Sequence, residues 1–336
     1  MKIIKIAIVR KSSIGDVVLA TVCLDYLLKI EQQSNYKFEI VWFGNPVTLE
    51  LIQSFYPSVK TYPYSSLATV FSGFDIFVDL QGNLRTKLTQ LRLLFSSQTK
   101  AVGMRKNQFK RTKLIMRGYI FGRFYPQKIN LPELFQWRLM VSALKKSLQG
   151  FIPSSILNSV DARPYLTSAA KINAISVAPG AQHANKSMPE DLFIKALESY
   201  LEKNDDVKIF FLGDASDFAL CERIKNHFSV RVSCENLAGS TSLTETCNVL
   251  AQCILTLSND SSVAHLSEAS GTPVLSYFGP TIETFGFSPW MEGSAALSSK
   301  LGCRPCSKHG KINCRYGDHL CFRLIKTEIS AELKSF

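Results

Sequence analysis

The stretch from Ile254 to Thr281, ILTLSNDSSVAHLSEASGTPVLSYFGPT, leaves the chain few folds to choose from. An apolar run, Ile254–Leu257, reads as a strand; a polar cluster, Ser258–Ser262, follows; then Val263, His265, Leu266 and Ala269 recur at helical spacing. Ser258, Asn259, Asp260, Ser261 and Ser262 are residue types that cap a helix, and Gly271 and Pro273 punctuate its end. A second strand, Val274–Phe278, leads into Gly279-Pro-Thr281. In an open parallel sheet such a turn lies outside the carboxyl end of a strand, where the unpaired N–H groups of the next helix suit a phosphate. A plain helix cap explains the serines equally well, so the rest of the chain has to decide.

The same alternation recurs from the start. Ile3–Val9 is β-branched and strand-like, Arg10-Lys-Ser-Ser-Ile-Gly-Asp16 is a turn, and Val17–Ile30 carries a helical period. Only Gly15 is present where a dinucleotide fingerprint needs three glycines, which argues against a nicotinamide site. Asp16 falls in the first helical turn; it is either a complement to the helix dipole or a general base facing a cleft. Phe38–Phe43 and Ile76–Leu80 are further strands, and Gly150–Thr167, with Pro153 and Pro164, reads as a linker. A second series begins with Ile175–Ala178, which ends in Pro179-Gly180-Ala-Gln-His-Ala-Asn-Lys186-Ser-Met-Pro189, and continues with Val207–Leu212. Strands ending in Gly180, Gly213 and Gly239 gather these turns and the Asp260 turn on one sheet edge, with Lys186 the single cation of its loop. The expectation is α/β: an amino-terminal domain over 1–160, a carboxy-terminal domain over 170–322 and a terminal helix over 323–336.

At 336 residues the chain exceeds the usual single-domain size, and 46% hydrophobic with 20% charged residues suits a sizeable core. Lys5, Arg10, Lys11 and Asp16 break any secretory leader pattern, and no run of 18 apolar residues occurs, so a soluble, cytoplasmic protein is expected. The net charge of +12 is concentrated between Gln81 and Gly150, where fifteen Lys and Arg face one acid, Glu133. Apolar and aromatic residues interleave with these bases, a pattern suited to an anionic membrane, a phosphorylated lipid or a nucleic acid.

Five segments in order resemble glycosyltransferase family 9, the ADP-heptose:lipopolysaccharide heptosyltransferases. They are the Arg10–Ala20 turn, the Pro179–Pro189 loop, Leu237-Ala-Gly-Ser-Thr-Ser-Leu243, Ser258–Leu266 and Gly271-Thr-Pro-Val…Phe-Gly-Pro-Thr281. The resemblance implies a GT-B architecture, two Rossmann-like domains facing a central cleft, with acceptor bound by the first and sugar nucleotide by the second. It implies inversion by a single displacement with no cofactor required for catalysis, Asp16 acting as general base. Lys186, Gly180, Asp260, Ser261, Ser262, His265 and Thr281 match donor-binding positions. Ser13, Gly15, Arg85, Arg105, Lys110 and Arg111 are taken as the acceptor-facing or anion-facing surface. The partners implied are an ADP-sugar donor and a lipopolysaccharide core or other phosphorylated glycolipid, with peripheral contact to the inner face of an anionic membrane and no nucleic acid. Two departures stand out: Met188 replaces a Trp frequent before the loop's proline, and Glu133-Leu-Phe-Gln-Trp137 lacks a histidine often found there.

Nine cysteines remain. Cys303, Cys306, Cys314 and Cys321 form C-x2-C-x7-C-x6-C beside His309 and His319, a spacing compatible with a structural zinc, with reduced thiols or with a disulfide. Other classes are a nucleic-acid binder, which lacks an RRM, KH or helix-turn-helix pattern, and a non-catalytic sugar-nucleotide binder, which would have no need of Asp16.

Overall fold

A computed structural model describes residues 2–69, 73–96, 98–104, 108–123 and 135–325. The chain divides into two compact units, Met1–Lys106 with Gln136–Leu166 and Asn107–Phe135 with Thr167–Phe336. The division differs from the sequence expectation in one segment: 107–135 groups with the second unit. Side chains of that segment engage distant residues of the second unit, as Arg123 does in its paired hydrogen bonds of 2.8 and 2.9 Å to Asp318. The expected terminal helix lies mostly outside the described residues, which show a single helical turn at Leu320–Arg323.

The first unit is a parallel sheet of β1 (Lys2–Val9), β2 (Tyr36–Gly44), β3 (Lys60–Pro63), β4 (Ile76–Asp79) and β5 (Lys100–Gly103), in the order β3-β2-β1-β4-β5. β1 is central because its β-branched run is buried on both faces from Ile6 to Val9. Val9 pairs with both Phe43 and Asp79, so three strands end level. The chain leaves β1 toward β2 on one side and later returns as β4 on the other, which makes the carboxyl ends of β1 and β4 the topological switch point. Ala7, Val9, Val41, Phe43, Phe77 and Leu93 form a core on one face of this sheet.

The second unit repeats the plan with β6 (Ala174–Ala178), β7 (Lys208–Phe211), β8 (Cys234–Asn236), β9 (Leu255–Asn259), β10 (Val274–Phe278) and β11 (Ala295–Ser298), in the order β11-β10-β9-β6-β7-β8, all parallel. Its switch point lies between β6 and β9, where Ala178 stands beside Ser258. Phe193, Leu197, Phe211, Ile224, Leu257 and Leu275 belong to its core, and Met188 is buried with them, so the loop's Trp-to-Met departure falls on a packing position. Trp137 is likewise buried, on the Gln136–Leu148 helix of the first unit. The α/β class read from the sequence is the fold observed.

Candidate functional site

In the first unit the turn after β1 places Asp16 at the switch point. Ser13 caps the Ile14–Ala20 helix, and its N–H and hydroxyl donate to Asp16 Oδ2 at 3.2 and 3.1 Å. Arg10 is buried beneath the turn: its guanidinium meets the same Oδ2 at 2.5 Å and donates to the Leu80 carbonyl. Asp16 itself keeps partial access to solvent, with its side chain 19% exposed. A buried cation and two donors thus fix the carboxylate in place, in addition to its position in the first turn of the helix. The end of β4 supports the turn, since Gln81 Oε1 accepts from the Lys11 N–H at 2.8 Å and Asp79 Oδ1 from the N–H groups of Gln81 and Gly82. Arg85 and Lys11 both stack on the Tyr64 ring, at 5.1 and 5.3 Å, which brings two cations near this turn. Gly15 is buried in the first turn of the helix.

In the second unit the switch point gathers several of the residues expected on the donor side. Asn259 ties the two loops together: its amide donates to the carbonyls of Pro179 and Gly180 at 2.8 and 3.1 Å, and its oxygen accepts from the Met188 N–H at 3.0 Å. Lys186 pairs with Asp260 at 2.8 Å, and the Thr281 hydroxyl donates to the same Asp260 oxygen at 2.6 Å. Ser261 is the N-cap of the Ser262–Ala269 helix, and its hydroxyl lies 3.0 Å from that of Ser258. Gly180 has no room for a side chain, because a Cβ would fall 1.9 Å from an Asp217 oxygen. His265 is buried, with its ring 6.0 Å from that of Phe287. Arg105 lies outside the described residues. Lys110 is exposed, while Arg111, expected on an anion-facing surface, stacks on Phe285 and Phe287 and donates to the Phe285 carbonyl. Its preference for two aromatic faces and a carbonyl over solvent explains why this segment groups with the second unit.

Two residues here were not legible in the sequence. Arg304 is 90% or more buried, and its guanidinium donates to the carbonyls of Phe278, Gly279, Thr281 and Ser299, which clamps the loop carrying Thr281. Glu268 is buried on the Ser262–Ala269 helix and accepts from the N–H groups of Trp290 and Met291 at 2.6 and 2.7 Å. Burial pushes its carboxyl up to about 7, against the amides of Met291 and Trp290 and the Ser294 hydroxyl, which pull it down. The proton is therefore held more tightly in the folded chain than in the unfolded one, whose value is 4.5. Stability should be greatest below pH 4.5 as far as this group is concerned, fall between about 4.5 and 7, and level off above. The loss is roughly 3 kcal/mol in total. Urea unfolding across that range should show the slope in the wild type and lose it in Glu268→Gln.

The four carboxy-terminal cysteines line one cavity with Arg123, Arg304 and Tyr316, and all four are free thiols. Burial raises the thiols of Cys303, Cys306 and Cys321, and neighbouring thiols add to this for each. Four thiols have the donor chemistry for zinc, but among the described residues no group of three His, Cys, Asp or Glu is arranged to hold a metal ion.

The family model "Glycosyltransferase family 9 (heptosyltransferase)" matches residues 124–316, more than half of the chain. The chain belongs to glycosyltransferase family 9. This family 9 chain is 28% identical over 156 residues to lipooligosaccharide heptosyltransferase 2 of Campylobacter jejuni, covering 46% of the chain and 47% of that relative. It is 32% identical over 110 residues to the protein of that name from Haemophilus influenzae, covering 32% and 31%. The chain thus spans about half or less of the length of these curated relatives. Two solved structures share the fold. One is an E. coli ADP-heptose lps heptosyltransferase II, with a TM-score of 0.66 at 16% identity over 99% of this chain and 98% of that one. The other is an E. coli heptosyltransferase with ADP, with a TM-score of 0.63 at 17% identity over 98% and 100%. The GT-B class anticipated from the sequence is the class these structures represent.

Proposed function

We propose that this family 9 chain transfers heptose, or a related sugar, from an ADP-activated donor to a lipopolysaccharide-core or other phosphorylated glycolipid acceptor, with inversion at the anomeric carbon and without a catalytic metal. The observation that carries the reading is Asp16, a carboxylate with partial solvent access, fixed by a buried Arg10 at the switch point of the first sheet. In the proposed step the acceptor hydroxyl oxygen bonds to the anomeric carbon as the bond from that carbon to the phosphate oxygen breaks. The hydroxyl proton passes to Asp16, and the electron pair of the broken bond leaves on ADP. Lys186, held by Asp260, and the N–H groups at the start of the Ser262–Ala269 helix are positioned to offset charge on a diphosphate. Asp260 is then a positioning residue: a carboxylate would repel phosphate, whereas its pairing with Lys186 and Thr281 fixes the cation and the loop.

The names of the relatives supply the donor and acceptor class, and a thermal-shift screen against ADP-, UDP-, GDP- and CDP-sugars tests the donor. A ligand at 100 times its Kd stabilises by roughly 2.7 kcal/mol, so selective stabilisation by the ADP-sugar is expected. Equal or greater stabilisation by another nucleotide sugar would reassign the donor, and no shift with any of them would remove the basis of the reading.

A further inference from the structure

The Leu84–Ser96 helix of the first unit is turned inside out. Its packed side buries Thr86, Thr89 and Leu93, whereas its outer side exposes Leu84 (74%), Leu88 (49%), Leu91 (50%) and Phe95 (84%). These four positions are spaced by four, three and four residues, so they form a single ridge along the helix, opposite the packed face. Helix geometry sets Arg85 and Arg92 along one flank of the ridge and Lys87 along the other, and the helix contains no acid. An ordinary surface helix points its threonines outward and its leucines in.

We propose that this ridge is a docking surface for an anionic lipid bilayer, with the helix lying in the plane of the interface. Leu84, Leu88, Leu91 and Phe95 would enter the acyl boundary, and Arg92 and Lys87 would sit at the height of the headgroups on either side, while Arg85 is held on the Tyr64 ring and the Ser65 carbonyl. Charge decides between occupants. A second copy of the chain would bring the same cations against each other across a two-fold contact, which opposes self-association. An anionic bilayer matches both the ridge and its flanks. The inference is independent of the transfer reaction, because it concerns binding alone.

The test is sedimentation of the full chain with vesicles of phosphatidylcholine and of equal parts phosphatidylcholine and phosphatidylglycerol. Binding to the anionic vesicles is expected, weakened by salt, with little binding to phosphatidylcholine alone. Leu88→Glu with Phe95→Glu should lower the partition constant roughly a hundredfold, and Lys87→Gln with Arg92→Gln roughly tenfold. All four side chains are exposed, so the Tm of each variant should stay at the wild-type value. Val230→Glu, at a 98% exposed position of the second unit, is the control and should bind as the wild type does. Equal binding by the Leu88/Phe95 variant, an equal loss in the Val230 variant, or a wild-type dimer that the Leu88/Phe95 variant converts to a monomer would each overturn the proposal.

Discussion

Replacing Asp16 by Asn should lower kcat by roughly 10²–10⁴-fold, the range that a positioned general base contributes, while donor affinity is retained. Asn keeps the size of the side chain and can still accept from Ser13, but it cannot take the acceptor's proton. It also loses the ion pair with Arg10, a cation buried beneath the turn. Stability should therefore fall too, because a buried guanidinium is left with only its carbonyl partner among the contacts described above. Steady-state kinetics together with isothermal titration of the donor separates the two effects. A fall in kcat with unchanged donor Kd marks Asp16 as the base. Loss of donor binding in a folded variant would mark it as a donor ligand, and unchanged kcat would remove it from the chemistry.

Lys186→Met should have the next largest effect, a loss of roughly 10²–10³-fold in kcat, since a preorganised cation at a departing diphosphate contributes on that scale. The aliphatic stem of Lys186 packs against Gly310, whose backbone leaves no room for a Cβ there, and Met preserves much of that contact. The substitution strands Asp260, which is nearly buried and would be left with the Thr281 hydroxyl, at a cost of about 1–3 kcal/mol. Adding Asp260→Asn should restore most of that stability without restoring kcat. Guanidinium unfolding and kinetics on the single and double variants check both halves. Recovery of kcat in the double variant would show that the charge of Lys186 is not what the reaction uses.

The interior of each sheet was legible in the sequence, and its edges were not. β1, β2, β4, β6, β9 and β10 announce themselves as apolar or β-branched runs because both faces are covered along much of each strand, and β7 by its apolar run Ile209–Phe211, which is fully buried on one face only. The four strands that escaped notice, β3, β5, β8 and β11, are all edge strands. They are three or four residues long, and sequences such as KTYP and CEN carry no period to read.

The site divided in the same way. Asp16, Lys186 and Asp260 were visible because strand-turn-helix patterns confine them to the ends of central strands. No local pattern marks Arg10 or Arg304 as buried, since their burial depends on carbonyls and a carboxylate that the fold brings up from elsewhere. Arg304 sits 23 residues from the Thr281 carbonyl it holds, in a tail that local pattern marks only for its cysteines. The Leu84–Ser96 helix is a different case. Helical spacing marks an apolar stripe but not the side on which it lies, and here Leu84, Leu88, Leu91 and Phe95 face outward while Thr86, Thr89 and Leu93 are buried.

The most direct test of the central claim is the stereochemistry of transfer. With ADP-heptose and a lipopolysaccharide-core acceptor, the anomeric configuration of the new linkage is read by NMR while ADP release is followed for the wild type and for Asp16→Asn. A single displacement predicts inverted configuration, one ADP released per linkage formed, and near-silence from the variant. Retained configuration, or transfer by the variant at the wild-type rate, would contradict a mechanism in which Asp16 takes the proton of the attacking hydroxyl.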